Sequence, residues 1–415
     1  MYYSSGNYEA FAHPKKPEGV DHKSAYIIGS GLAALTAACY LVRDGQMKGE
    51  HVHVFEKNAL AGGACDGYKY DIGYVMRGGR EMDNHFEVMW DLLHSIPSLE
   101  TEGASVLDEY YWLNKEDPNF SLCRATVNRG EDAHTDGKFG LSDKGAMEIM
   151  KLFFTPDEQL QDKKITDFFD DEVLNTNFWM YWRTMFAFEN WHSALEMKLY
   201  LKRYIHHIGG LPDFTALRFT RYNQYESIIL PMVTYLKDHG VDFQYETKVT
   251  DVQFRIEGGK KQASSVTVDY KGESRTIDLT ENDLLFITNG GCVESTSIGS
   301  QDQPAVFNPT LRPGNGWGDS TLYREGSNAN CLDIFPLEWS GCGRGDYRES
   351  PMELLQNGVP ISTEFHYTGC EALKSAHPSA LPASRGQTVL AVYLEDSAAK
   401  LRLTLLYGVL PTVFT

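Results

Sequence analysis

The stretch 25-AYIIGSGLAALTAACYLVRDG-45 decides the fold of this protein. Residues 25–28 form a short apolar run typical of a buried strand, and Gly29 and Gly31 follow it directly. Apolar residues then recur at helical spacing, and residues 51–57 (HVHVFEK) again have the pattern of a strand. A strand, a glycine turn, a helix and a strand predict a βαβ unit with a right-handed crossover and a parallel sheet.

The glycine turn has the pattern of a dinucleotide site. Gly29, Gly31 and Ala34 form GxGxxA, and Glu56 closes the second strand. Gly29 permits a tight turn, while Gly31 lets backbone N–H groups approach a pyrophosphate whose charge the helix N-terminus stabilises. Glu56 can accept hydrogen bonds from a ribose diol and would repel a 2′-phosphate, which favours FAD or NAD over NADP. The sequence therefore predicts an α/β, Rossmann-like domain.

Further glycines favour FAD. A glycine pair at 62–63 and an RxGG-like element at 77–79 follow the acid, and DLLFITNGG at 283–291 looks like a late strand and turn that return to the cofactor. This order resembles FAD-binding oxidases and desaturase-like proteins more than nicotinamide dehydrogenases. The residues predicted to bind FAD are Gly29, Gly31, Ala34, Glu56, Gly62, Gly63, Arg77, Gly78, Gly79, Asn289 and Gly290.

Composition excludes several classes of protein. With 38 Lys and Arg against 57 Asp and Glu, the net charge of −19 disfavours sequence-independent nucleic-acid binding. Seven scattered cysteines without a CxxC pair indicate a reduced compartment rather than a disulfide framework. The first residues lack the apolar run of a signal peptide, and the apolar stretch from Leu401 is too short to span a membrane. We expect an intracellular, cytoplasmic protein without a transmembrane segment.

Pattern changes along the 415 residues predict four regions. Residues 1–107 form an N-terminal arm and the first part of the FAD-binding domain, and the aromatic, amphipathic residues 108–230 form a largely helical substrate or lid domain. Strand patterns at 231–309 return to the FAD-binding domain. Residues 310–415 have no sustained periodicity and are interpreted as an atypical, loop-rich tail.

Several long motifs then point to a family. The segments RGGREMDNHFE at 77–87, MFAFENWHSALEMKLYLKRYIHHIGGLPDFT at 185–215, YNQYES at 222–227 and ETKVTDVQF at 246–254 resemble the oleate hydratase family, also called myosin-cross-reactive antigens. The resemblance extends over about residues 1–311. Motifs of this length are far more specific than a glycine fingerprint.

The resemblance implies an FAD-dependent hydratase, a hydro-lyase that adds water to the cis-9 double bond of oleate-type fatty acids and gives 10-hydroxy products. FAD would organise the site without net redox change. The family's water-handling glutamate falls on Glu81 and its acidic tyrosine on Tyr200. The implied partners are oleate or linoleate and water, and the sequence leaves peripheral membrane contact and a homodimer open.

The residues alone favour plainer roles for these side chains. Tyr200 lies on an apolar helical stripe, so a core tyrosine is the favoured interpretation without the resemblance. Glu81 precedes a helical pattern, where an acid complements the helix dipole. His192, His206 and His207 have no carboxylate at HExxH spacing, so we predict no metal site.

The tail leaves alternatives open, because residues after about Arg312 do not resemble the family. The chain is interpreted as a truncated or mis-spliced form with an intron-derived or frame-shifted tail. Three hypotheses remain: a fatty-acid hydratase, an FAD-dependent oxidoreductase or isomerase on the same scaffold, and an inactive truncated fragment that binds flavin or lipid.

Overall fold

The structure, a computed structural model, describes residues 13–71, 73–76, 82–84, 86–120, 126–127, 130–132, 137–160, 163–186, 188–215, 217–257, 260–288, 361–362, 391–392 and 412–414. Six of the predicted site residues lie outside these ranges: Arg77, Gly78, Gly79, Glu81, Asn289 and Gly290.

The described strands are β1 (Ser24–Ile28), β2 (Val52–Phe55), β3 (Gly67–Tyr70), β4 (Gly73–Met76), β5 (Thr126–Val127), β6 (Glu131–Asp132), β7 (Asp242–Gln244), β8 (Thr247–Glu257), β9 (Lys260–Tyr270), β10 (Glu273–Asp278), β11 (Asp283–Ile287), β12 (Ile361–Ser362), β13 (Ala391–Val392) and β14 (Thr412–Phe414). The described α-helices are α1 (Leu32–Arg43), α2 (Glu87–His94), α3 (Val106–Glu116), α4 (Asp143–Phe154), α5 (Ile165–Phe168), α6 (Asp171–Leu174), α7 (Asn177–Met185), α8 (Ala194–Tyr204) and α9 (Leu230–Asp238).

The main sheet has the strand order β14-β11-β1-β2-β7 within the described residues. The pairs β11–β1, β1–β2 and β2–β7 are parallel, and β14 runs antiparallel along β11. Helix α1 connects β1 to β2, so the predicted βαβ unit is confirmed. The α/β, Rossmann-like class predicted from the glycine turn is confirmed with it.

One hydrophobic cluster, here called the cofactor core, joins this sheet to its helices. It combines Ile27 of β1, Val54 of β2 and Phe286 of β11 with Leu35 of α1 and Met232 of α9. Helix α1 is buried from Leu32 to Leu41 because it lies between the sheet and neighbouring helices. Burial also raises the pKa of the Cys39 thiol, so this residue stays protonated in the core.

A second cluster, here called the helical core, lies in the aromatic region. It contains Leu152 of α4, Trp179 and Trp182 of α7, and Met197 and Leu201 of α8. Aromatic side chains of α7 therefore pack against the neighbouring helices. The domain bounds drawn from the sequence stay a prediction.

The β8, β9 and β10 strands form a separate antiparallel sheet in the order β10-β9-β8. The sequence predicts strands at 240–255 and 264–270 but not β10, because Glu273–Asp278 is mostly exposed and lacks apolar alternation. Most of the predicted loop-rich tail lies outside the described residues. No helix in the described ranges combines the length and apolar character needed to cross a bilayer.

Candidate functional site

The carboxyl end of β1 runs into the glycine turn. Gly29 has a φ of +96°, which L side chains rarely adopt, and its N–H donates to the Phe55 carbonyl at 2.8 Å. A Cβ added at Gly29 would lie 2.9 Å from Thr288 Oγ1, just beyond β11. Gly31 is the N-cap residue of α1 and has no side chain to cover the first N–H groups of the helix. The backbone is therefore thin and rich in donors where β1, β2 and β11 end together.

Glu56 lies beside this turn. Its side chain is almost fully buried, and Oε2 accepts hydrogen bonds from Ser30 N at 3.1 Å and Ser30 Oγ at 2.6 Å, while Oε1 accepts one from Asn58 N at 2.8 Å. The Ser30 and Asn58 donors hold the Glu56 carboxylate in one orientation at the end of β2. Burial is the largest cause that raises the pKa of the Tyr245 hydroxyl to about 12, and electrostatic interactions with Tyr225 and Glu56 add to the rise.

The second glycine pair closes on the first. Gly62 donates its N–H to the Ser30 carbonyl at 2.8 Å and forms a parallel bridge with Gly31. Gly62 has a φ of +122°, and Gly63–Cys65 forms a short 3₁₀ turn. The described members of the predicted cofactor set lie together at this turn: Gly29, Gly31, Ala34, Glu56, Gly62 and Gly63. Their role in binding stays a prediction.

Tyr200 lies on α8 at the edge of the helical core. Its half-buried ring makes edge-to-face contacts with the rings of Phe188 and Phe186, whose centres lie 5.2 Å and 5.6 Å from its own. The Tyr204 ring is tilted, with its centre at 5.8 Å. Ser193 caps the helix by accepting a hydrogen bond from Glu196 N at 3.2 Å. The tyrosine is therefore presented from a capped helix into aromatic surroundings.

Three basic side chains, from the end of α8 and the following 3₁₀ turn, lie close to the Asp83 carboxylate. His207 Nε2 lies 2.9 Å from Asp83 Oδ1, and His206 Nε2 lies 3.6 Å from the same oxygen. The Arg203 guanidinium lies 3.5 Å from Asp83 Oδ2. Only 3% of the Asp83 side chain is exposed. We call these four residues the Asp83 cluster.

The cluster contains three ligand atoms that could hold a metal ion. Those of Asp83, His206 and His207 lie within 4.8 Å of one another. Arg203 argues against an ion, because its guanidinium already places a permanent positive charge beside the same carboxylate. We interpret the cluster as an ion-pair network, and the absence of a metal site stays a prediction.

Sequence reasoning did not single out Ser30, Asp83 or Arg203. Ser30 had a local signal, since a hydroxyl between two glycines of the turn lies next to the ribose-binding position. Asp83 had none, because its contact with His207 joins residues 124 positions apart. His192 is buried and its Nδ1 accepts a hydrogen bond from Glu189 N at 2.8 Å, which is a structural role.

Comparison with known families decides the kinship of this chain. Residues 22–319 match the profile of the MCRA family, which is more than two thirds of the 415 residues. The chain belongs to the MCRA family. The resemblance drawn from the long motifs is thereby confirmed.

Two curated relatives of this MCRA-family chain are hydratases by name. It is 54% identical over 318 residues to an oleate hydratase of Streptococcus pyogenes serotype M49 (strain NZ131), covering 76% of this chain and 53% of the relative. It is 29% identical over 311 residues to a linoleate hydratase of Lactiplantibacillus plantarum, covering 68% of this chain and 54% of the relative. The chain spans about half the length of the curated relatives it matches.

Similar solved structures include a putrescine oxidase bound to putrescine, with a TM-score of 0.42 and 16% identity over 66% of this chain and 59% of that one. A fatty acid isomerase from P. acnes that produces CLA has a TM-score of 0.42 and 14% identity over 64% of this chain and 58% of that one. These scores add no argument about function.

The tail matches a different profile. Residues 307–413 match the N-terminal domain of glycosyl hydrolase family 36. The intron-derived or frame-shifted origin of the tail stays a prediction.

Proposed function

We propose that this MCRA-family chain binds FAD and adds water to the cis-9 double bond of oleate or linoleate, giving 10-hydroxy fatty acids. The observation that carries the proposal is that the family match at 22–319 includes both the glycine turn and the helix of Tyr200. The names of the two hydratase relatives support the same reaction class.

The residues around the glycine turn fit FAD. Gly29 and Gly62 let the turn pack closely, because a Cβ at either position would lie 2.9 Å from an atom of Thr288 or Asp66. The open N-terminus of α1 favours a pyrophosphate. Glu56 would accept hydrogen bonds from a ribose diol. When bound, FAD would supply an organising surface beside the substrate, because hydration involves no net redox change.

Hydration requires a proton on one alkene carbon and hydroxyl on the other. We assign Tyr200 as the acid that gives its hydroxyl proton to C9, and Glu81 as the carboxylate that takes a proton from the water attacking C10. One water is consumed, C9 gains hydrogen and C10 gains hydroxyl, and the proton on Glu81 returns to Tyr200 through solvent. The Phe186 and Phe188 rings beside Tyr200 suit an acyl chain because they are apolar.

The product of oleate tests this proposal. Purified protein supplied with FAD is incubated with oleate, and mass analysis is expected to show a gain of one water while the flavin absorption spectrum stays that of the oxidised form. Bleaching of the flavin during turnover would favour the oxidoreductase or isomerase alternative. Bound FAD without product would favour the inactive fragment.

Substitutions test the two assigned residues. Tyr200→Phe and Glu81→Gln should each lower the hydration rate by about 100-fold or more, since general acid–base groups contribute on that order. FAD affinity should be unchanged in both. Tyr111→Phe, at an exposed position on α3, is the matched control and should keep full activity. Full activity in either test variant would remove that residue from the mechanism.

A further inference from the structure

The cofactor core and the helical core are joined at the Asp83 cluster. Asp83 follows Met82, a buried member of the cofactor core, and Met82 exchanges backbone hydrogen bonds with Arg218 at 2.7 and 3.2 Å. The Trp90 indole on α2 donates to the Asp83 carbonyl at 3.1 Å. The backbone on both sides of the carboxylate is thus attached to the cofactor core.

Arg203 connects α8, a helix of the helical core, to Asp83. Its guanidinium lies 3.5 Å from Asp83 Oδ2, 5.1 Å from the centre of the Phe86 ring and 5.5 Å from the centre of the Tyr204 ring. Phe86 packs against the cofactor core and Tyr204 ends α8. Arginine suits this position because its planar group can pair with a carboxylate and stack on rings at the same time.

The burial of Asp83 makes the link specific. A buried carboxylate is costly unless cations and hydrogen-bond donors compensate it, so the three basic groups must stay close for the charge to be tolerated. An exposed pair such as Lys16 and Asp21, with about half of each side chain in solvent, imposes no such requirement. Movement of the last turn of α8 away from Asp83 is therefore strongly opposed.

We propose that Asp83 is a positioning residue that sets the last turn of α8, and with it Tyr200, relative to the cofactor-binding turn. Arg203 and Tyr200 lie one helical turn apart on α8, so a displacement of Arg203 is transmitted to Tyr200 through the rigid helix. The contact between the rings of Tyr200 and Tyr204 couples them further. The catalytic consequence rests on the proposed function, whereas the link between the two cores does not.

Hydrogen exchange of the full chain tests the link without an activity assay. Asp83→Asn should speed amide exchange in peptides covering 199–210 by about 10-fold or more, because local opening raises exchange in proportion to the open population. Exchange in β1 and α1 should be unchanged. Asp21→Asn is the matched control and should change neither region. A uniform rise across both cores, or no change, would overturn the proposal.

Arg203→Gln tests the same link at a side chain that is 34% exposed, where a substitution disturbs folding less. It therefore tests the link between the two cores if Asp83→Asn does not fold. It should reproduce the local rise, and the double variant should exchange no faster than the faster single variant, since both remove one interaction. Additive effects would contradict a shared link. Uptake of one equivalent of Co²⁺ by the unsubstituted protein, lost in Asp83→Asn, would make the cluster a metal site and overturn the positioning role.

The kinetic arm uses oleate. Asp83→Asn should lower kcat by about 10- to 100-fold, since a small misplacement of a catalytic group costs that much. KM should stay within about two-fold, because substrate contacts are retained. A rise in KM of about 10- to 100-fold with an unchanged kcat would contradict a positioning role. If the unsubstituted protein does not hydrate oleate, the proposed function fails, and the exchange experiment still decides the role of Asp83.

Discussion

Glu56 and Asp83 are both buried carboxylates, but their surroundings differ in kind. Glu56 is held by neutral donors, the Ser30 N–H and hydroxyl and the Asn58 N–H, whereas Asp83 is surrounded by a guanidinium and two imidazoles. Neutral donors orient a carboxylate and leave its charge for a ligand, while basic groups compensate that charge inside the protein. We therefore expect Glu56 to serve a ligand, whereas the surroundings of Asp83 suit a structural link.

Glu56→Gln tests the ligand role. The amide keeps the size of the side chain but loses the charge that strengthens its hydrogen bonds to a ribose diol. Charged hydrogen bonds contribute about 1.5–3 kcal/mol, so the Kd for FAD should rise by about 10- to 100-fold. Flavin fluorescence titration measures the Kd. Glu50→Gln, a largely exposed position before β2, is the control and should leave the Kd unchanged. Equal Kd values in Glu56→Gln and the unsubstituted protein would exclude Glu56 from the site.

The helices differ in the residue that caps their N-terminus. Helices α3, α4, α7 and α8 begin with a Ser or Thr hydroxyl that accepts a backbone N–H. Helix α1 begins with Gly31, which leaves its first N–H groups uncapped by a side chain. A side-chain cap satisfies these groups from within the chain, whereas a glycine start leaves them available to a pyrophosphate.

The cap of α3 makes a pH-dependent contribution to stability. Ser105 accepts from Asp108 N at 3.1 Å, and Asp108 Oδ2 accepts from Ser105 N at 2.8 Å and Ser105 Oγ at 2.7 Å. The Ser105 side chain first, and then its backbone N–H, hold the pKa of Asp108 below its ordinary value of 3.8. Because the folded pKa is depressed, the contribution is full above pH 3.8 and is lost as the pH falls through the folded pKa.

Asp108→Asn should therefore lower the free energy of unfolding at pH 7 by about 1 kcal/mol, the usual size of a capping contribution. The difference from the unsubstituted protein should shrink below pH 3.8. Urea unfolding across this pH range measures it. Asp117→Asn, at the other end of α3, is the control and should change the free energy by less than about 0.5 kcal/mol. A difference independent of pH would show that the Asp108 charge has no part in the cap.

At the scale of the whole molecule, two regions of the chain match different family profiles. The MCRA-family match ends at residue 319, and the glycosyl hydrolase family 36 match covers 307–413. The only tail strand that pairs with the main sheet among the described residues is β14, which lies on β11. A strand beside β11 covers a sheet edge whose N–H and C=O groups would otherwise be open.

We expect one continuous reading frame through the join, because residues 307–413 match the profile of a protein domain. Sequencing the mature transcript across codons 288–320 checks this. Transcripts that leave the MCRA-like region near codon 310 by a splice junction, and continue in another sequence, would contradict it and restore the mis-spliced interpretation.

The local sequence predicts the Rossmann-like part of this protein. The spacing of apolar residues and the glycines of the turn predict the strand, turn and helix, because periodicity and the conformational freedom of glycine are properties of the local sequence. Gly29 and Gly62 do adopt a positive φ. The exposed strand β10 was missed for the converse reason, since its pairing with β9 depends on a partner rather than on its own pattern.

The link between Asp83 and His207 was beyond the reach of any spacing rule. It depends on how the residues between them fold, which brings side chains 124 positions apart to 2.9 Å. Short-range sequence encodes the glycine turn, the helix that follows it and the helical stripe that carries Tyr200. The position of Tyr200 relative to the glycine turn depends on the buried Asp83 carboxylate where the two cores meet. The tertiary structure decides this position, because only three-dimensional packing determines which basic groups lie beside a buried charge.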